Sequence, residues 1–227
     1  MEILKLEKAI NYSFKDKNLL KEALTHRSYL NENPSWKLPD NERLEFLGDA
    51  VLELAVTEEL FNRYPDLKEG QLTSYRAALV NYVMLAEVAK SFGLEKFVLL
   101  SRGEAKDTGR ARDVILANAI EALIGAIYLD GDYKKTKKFV NDFVMEHLDA
   151  VIKSGLYKDP KSALQEKTQE KYKVTPVYKV LSETGPDHDK VFTVGVYLGN
   201  RLLADGTGHS KQEAEAEAAR IALANIK

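Results

Sequence analysis

Cysteine is absent from the 227 residues, which excludes disulfides, thiolate chemistry and cysteine-based zinc sites. A strong charge bias is absent too, with 33 Lys+Arg against 35 Asp+Glu. Residues 158–227 hold 11 Lys+Arg against 10 Asp+Glu, and residues 1–157 hold 22 against 25. No basic tail therefore advertises a polyanion partner. No apolar run reaches the ~20 residues that a membrane span needs. The longest, Val114–Leu129, is interrupted by Asn118 and Glu121. The start, MEILKLEKAI, lacks the charged-then-apolar layout of a secretory signal. These absences predict a cytoplasmic protein with no membrane partner.

What is present is a chain 44% apolar, enough for a substantial core. Residues 1–152 show apolar positions at helical spacing almost throughout, in stretches such as ERLEFLGDAVLELAVTEELFNRY, EGQLTSYRAALVNYVMLAEVAKSFGL and KTKKFVNDFVMEHLDAVI. Loop-like clusters separate them at NENPSWKLPD, YPD and LDGD. Residues 153–159 carry the glycine of a linker. Residues 160–227 change character: a helix, three stretches with β-branched and aromatic alternation, then a closing helix with Ser210 as N-cap and Glu213 three residues on. The expected fold class is a mainly α domain followed by an α+β domain of order α-β-β-β-α.

The stretch NERLEFLGDAVLELA puts Glu42, Glu45, Asp49 and Glu53 in one narrow helical stripe, although like charges at such offsets repel. Leu44, Phe46, Leu47, Val51, Leu52 and Leu54 suggest that much of this helix is buried. A second stretch, DVILANAIEALIGAIYLD, is apolar almost all round yet carries Asn118 and Glu121 one turn apart. A buried carboxylate is costly unless it is neutralised, hydrogen-bonded or paired, and Arg43 and Arg76 are the candidate partners. Two such stripes on crossing helices offer another answer. Glu45 and Asp49 would meet Asn118 and Glu121, and hard oxygen ligands without His or Cys suit Mg²⁺ or Mn²⁺. Such clusters serve phosphoryl chemistry. Gly48 would let the second helix come close.

NERLEFLGDAVL resembles the signature of the ribonuclease III family, and ILANAIEALIGAIYLD resembles its second acidic segment. The domain order is similar to the bacterial members end to end. The resemblance implies a Mg²⁺-dependent hydrolase, with Mn²⁺ as a substitute and no small-molecule cofactor, that cuts double-stranded RNA into 5′-phosphate and 3′-hydroxyl ends in the processing of rRNA and mRNA precursors. It implies metal ligation by Glu45, Asp49, Asn118 and Glu121, catalytic roles for Asp49 and Glu121, and supporting roles for Glu42 and Glu69. Asn118 departs from the family's usual aspartate and offers a neutral oxygen where a charge is expected. The alternative reading is thus a double-stranded RNA-binding protein that no longer cuts. Glu53 matches no family position and reads as a solvated acid.

The closing module resembles a double-stranded RNA-binding domain, a shape-reading module of A-form duplexes. By that resemblance Ser162, Gln165 and Gln169 touch one minor groove, His188 in GPDHDK enters the next, and Ser210, Lys211 and Gln212 open the last helix against phosphate. The family's usual Lys/Arg cluster there is reduced to Lys211, which predicts modest RNA affinity. His26 in ALTHRSY is expected to be structural rather than a general base. The Arg-rich stretch 101–113 reads either as a solvated loop or as a phosphate contact. One acid set per chain and two strands per duplex predict a homodimer, with Phe46 and Leu47 available to meet the partner.

Overall fold

This computed structural model describes residues 3–155, 157, 159–186 and 190–226. The chain divides into two units, Met1–Tyr157 and Lys158–Lys227.

The first unit carries nine α-helices among its described residues: α1 (Ile3–Ala9), α2 (Lys17–Ala23), α3 (Arg27–Glu32), α4 (Glu42–Arg63), α5 (Glu69–Val80), α6 (Tyr82–Ser91), α7 (Arg110–Asp130), α8 (Tyr133–Phe143) and α9 (Leu148–Ser154). Its axis is α7, apolar on nearly every side because other helices surround it; Leu116, Ile120, Leu123 and Ile124 are fully buried. Asp130 ends this helix and accepts hydrogen bonds from the Tyr12 hydroxyl at 2.8 Å, Lys15 N–H at 3.0 Å and Asp16 N–H at 2.8 Å. Burial alone would raise its pKa, but those hydrogen bonds outweigh it and hold the carboxyl below the usual range.

Three local expectations are corrected. The stretch 69–94 is two helices, because Asn81 adopts extended backbone, accepts the Met84 N–H to cap α6, and donates to Ala77 and Ala78 carbonyls of α5. The stretch 135–152 breaks at a 3-10 turn, Met145–His147, before α9 resumes and runs to Ser154. Lys153 and Ser154, expected in the linker, are therefore helical. Phe46 is 82% exposed and Leu54 is 55% exposed, so α4 buries less apolar surface than its composition suggests.

The second unit is α10 (Pro160–Tyr172), β1 (Val177–Thr184), β2 (Val191–Leu198), β3 (Arg201–Gly208) and α11 (Lys211–Asn225). The strands form an antiparallel sheet in the order β1-β2-β3. Leu164, Val196, Ala204, Ala218, Ala219 and Ala222 fill the space between sheet and helices. Gly206 permits this, since a Cβ there would stand 2.2 Å from the Ala218 nitrogen. Ser210 caps α11 by accepting from Glu213 N–H at 3.1 Å, and Glu213 reaches back to His209 N–H at 3.0 Å.

Candidate functional site

Helices α4 and α7 cross with their backbones in contact. A Cβ on Gly48 would lie 1.7 Å from the Glu121 carbonyl oxygen, and one on Gly125 would lie 2.3 Å from that of Leu44. Only two glycines allow this approach, and it places the two acid stripes side by side. The Asn118 amide favours the ionised form of Glu45. The carboxyls of Asp49 and Glu45 act on Glu121.

The electrostatics follow from that crowding. Glu121 is pushed up to about 8, first by burial, then by the charges of Asp49 and Glu45. Glu45 is raised as well, by burial and by Glu42 and Asp49, with the Asn118 hydrogen bond pulling the other way. Neither arginine weighed as a partner supplies relief. Arg76 lies 3.6 Å from Glu53 and donates to Thr57 at 3.1 Å, and the charge of Arg43 acts on Glu22. Glu53 is thus solvent-exposed, as expected, and also paired with Arg76. Among the described residues, no three His, Asp or Glu side chains converge tightly enough to enclose an ion unaided. The donor set is nevertheless all oxygen once the Asn118 carbonyl is counted, and its unbalanced charge suits a hard divalent cation.

Glu42 sits one turn before Glu45 and accepts from Arg27 at 3.4 Å. Glu69 does not join the acids within the chain. It accepts from Thr73 at 3.0 Å and lines a 460 Å³ hollow with Thr57, Leu60, Phe61, Leu72 and Arg76. Thr57 is twelve residues along α4 from Glu45, ~18 Å at the helical rise.

His26 is built into the frame. Its Nδ1 accepts from Ser28 N–H at 3.3 Å and so caps α3, while burial lowers its pKa and keeps it an acceptor. Ser28 Oγ accepts Ser101 N–H at 3.1 Å, tying this corner to the loop that leads into α7. In the first turn of α7, Arg112 turns inward and donates to the Glu95 carbonyl at 3.0 Å, and Arg110 lies 5.6 Å over the Tyr82 ring. Sequence reasoning missed Gly125; its one signal was a glycine inside an otherwise strong helix, a choice that costs about 1 kcal/mol.

In the second unit Ser162, Gln165 and Gln212 line one hollow with Lys161 and Tyr178. Ser162 also donates twice to Asp159, the N-cap of α10. Gln169 donates to Thr175 Oγ at 2.9 Å. Lys211 lies 3.2 Å from Glu183. His188 falls outside the described residues.

Two family models match: "Ribonuclease-III-like" over residues 16–148 and "Double-stranded RNA binding motif" over residues 160–226. The chain is 43% identical over 222 residues to a Ribonuclease 3 of Borreliella burgdorferi, covering 98% of this chain and 90% of that one. It is 44% identical over 227 residues to a Ribonuclease 3 of Nitratiruptor sp., covering 100% and 97%. Among solved structures, the nuclease domain of a ribonuclease III from Campylobacter jejuni superposes with a TM-score of 0.58 at 44% identity, over 64% of this chain and 97% of that one. That structure's description concerns flexibility in a region involved in dimer formation. Identity sustained over nearly the full length of both partners means that the chain belongs to the ribonuclease III family, the metal-requiring endoribonucleases of double-stranded RNA.

Proposed function

We propose that Glu45, Asp49, Asn118 and Glu121 hold Mg²⁺, with Mn²⁺ as a substitute, and that Asp49 and Glu121 are the catalytic pair. The observation that carries this is Glu121: it holds its proton up to about 8 because it is buried and because the charges acting on it are two more acids. A divalent cation bound there supplies Lewis-acid chemistry, activating water and offsetting charge on the leaving oxygen. The chain's own part is positional. The glycine crossing sets the distance between the two stripes, Asn118 favours the charged form of Glu45, and Glu42 adds negative charge at the rim. A supporting role for Glu69 needs a second copy of the chain, since its own acids lie far along α4.

Labour divides along the chain. Residues 1–154 cut, residues 155–159 connect, and residues 160–227 grip the duplex through Ser162, Gln165, Gln169, His188, Ser210, Lys211 and Gln212. The products are 5′-phosphate and 3′-hydroxyl ends on structured rRNA and mRNA precursors in the cytoplasm. The working form is a homodimer, because one acid set serves one strand. Phe46, almost fully exposed, is the apolar knob, and the hollow of Thr57, Leu60, Phe61 and Leu72 is of a size to receive such a ring.

The test is cleavage of a perfect RNA duplex in Mg²⁺ beside a binding assay without metal. Glu121→Gln should abolish cleavage and leave binding within about twofold. Turnover that survives in saturating Mg²⁺ would overturn the assignment.

A further inference from the structure

The ammonium of Lys211 occupies a two-sided seat. Glu183 Oε1 lies 3.2 Å from it, and the Phe192 ring lies beneath it at 5.5 Å. Glu183 and Phe192 are direct cross-strand partners on β1 and β2, so the sheet register itself builds the seat. Lys211 is the one cation in the first turn of α11, KQEA. Nearby acids are committed elsewhere: Glu213 to the His209 N–H, Glu215 to Lys161, and Glu217 to Arg220. Among the described residues, Glu183 is the acid paired with Lys211. Both partners are open to solvent, Lys211 at 57% and Glu183 at 42%, so an arriving phosphate can displace the carboxylate without unpacking anything.

We propose that Glu183 is an affinity-limiting residue of the duplex-RNA interface: it holds Lys211 in an intramolecular ion pair that RNA phosphate must break. This rests on the reading above that Lys211 contacts phosphate. The chemistry is an exchange of one anion for another around a single ammonium. A lysine already neutralised releases fewer counterions on binding, so the pair also flattens the salt dependence. With a unit net charge of only +1, one sequestered lysine is a large share of the attraction available.

A double-mutant cycle on the full chain tests it, using a blunt-ended RNA duplex without divalent metal so that no cutting occurs. Glu183→Gln keeps the shape of an exposed side chain and should tighten binding about twofold to fivefold, the span expected of an exposed ion pair. Its salt slope should steepen by up to about one unit. Lys211→Gln should weaken binding, and adding Glu183→Gln to it should change affinity by less than about 1.3-fold. An equal gain from Glu183→Gln in both backgrounds would overturn the proposal, since Glu183 would then act only as bulk charge. No gain in either background, with Lys211→Gln still weakening binding, overturns it as well. If Lys211→Gln leaves affinity unchanged, the parent reading fails together with the proposal.

Discussion

Gly48 and Gly125 stand on opposing helices, and each lies where any side chain would enter the other helix's backbone: 1.7 Å from the Glu121 oxygen in one case, 2.3 Å from the Leu44 oxygen in the other. Backbone atoms cannot rotate away as side chains do. The separation of the acid stripes is thus fixed by main chain against main chain.

Gly125→Ala should therefore force α4 and α7 apart. Overpacking of this kind costs about 1–3 kcal/mol, and more where backbone must move. The expected result is a lower melting temperature by circular dichroism and a kcat reduced at least ~100-fold, since sub-ångström placement governs such sites. Duplex binding should persist. A variant that cuts at the parent rate would show that the crossing does not set the geometry.

Glu121 makes metal-free stability depend on pH. Its folded pKa, about 8, lies above the ordinary 4.5, so the protonated form is the one that folding favours. Stability from this group is complete below about 4.5 and is lost as pH rises through about 8. Glu121→Gln cannot ionise and escapes that loss. In a chelating buffer the variant should melt higher than the parent by a margin that grows between pH 5 and pH 9, reaching roughly 3 °C or more. A margin that stays flat across this range would mean that Glu121 is not the strained acid.

Asn118→Asp exchanges an amide that favours the charged form of Glu45 for a fourth carboxylate. Without metal the variant should be less stable than the parent. With metal the extra charged oxygen should lower the Mg²⁺ concentration needed for half-maximal cleavage, because ligand charge sets affinity for hard cations. Titrating Mg²⁺ at fixed pH measures it. A requirement that stays the same or rises would place Asn118 outside the metal's reach.

Phe46 can be removed without touching the core. Phe46→Ser should preserve the circular-dichroism spectrum and leave the chain sedimenting as a monomer at micromolar concentration, where the parent sediments as a dimer. Cutting of both strands at a constant offset by a proven monomer would defeat the two-site argument.

The helical phase of Glu45, Asp49, Asn118 and Glu121 is legible in the sequence, because carboxylates inside apolar stretches stand out and their spacing fixes their face. So is the second unit, where alternation and the Ser210–Glu213 capping pair bound each element. Other features are not local. Whether Asn81 continues a helix or caps the next depends on where α5 and α6 must turn, which periodicity does not encode. Phe46 and Leu52 are equally apolar in the sequence, yet one faces solvent and the other is fully buried. Gly125 needed its partner: a glycine in a helix announces a close approach but not to what.

The Asp130 junction has a consequence for how the chain is made. Tyr12 and Asp130 are 118 positions apart, yet the turn that follows the first helical segment is tied to that carboxylate by three hydrogen bonds. Helices form fast and locally, but this closure waits until residue 130 has been synthesised, on the order of ten seconds after Tyr12. Leu6 and Ile10 are buried in a core that also holds Ile120, Leu123, Ile124 and Phe139, so part of their burial waits for the same stretch of chain. The N-terminal arm, the first part of the chain to leave the ribosome, is therefore not locked in place until α7 is complete.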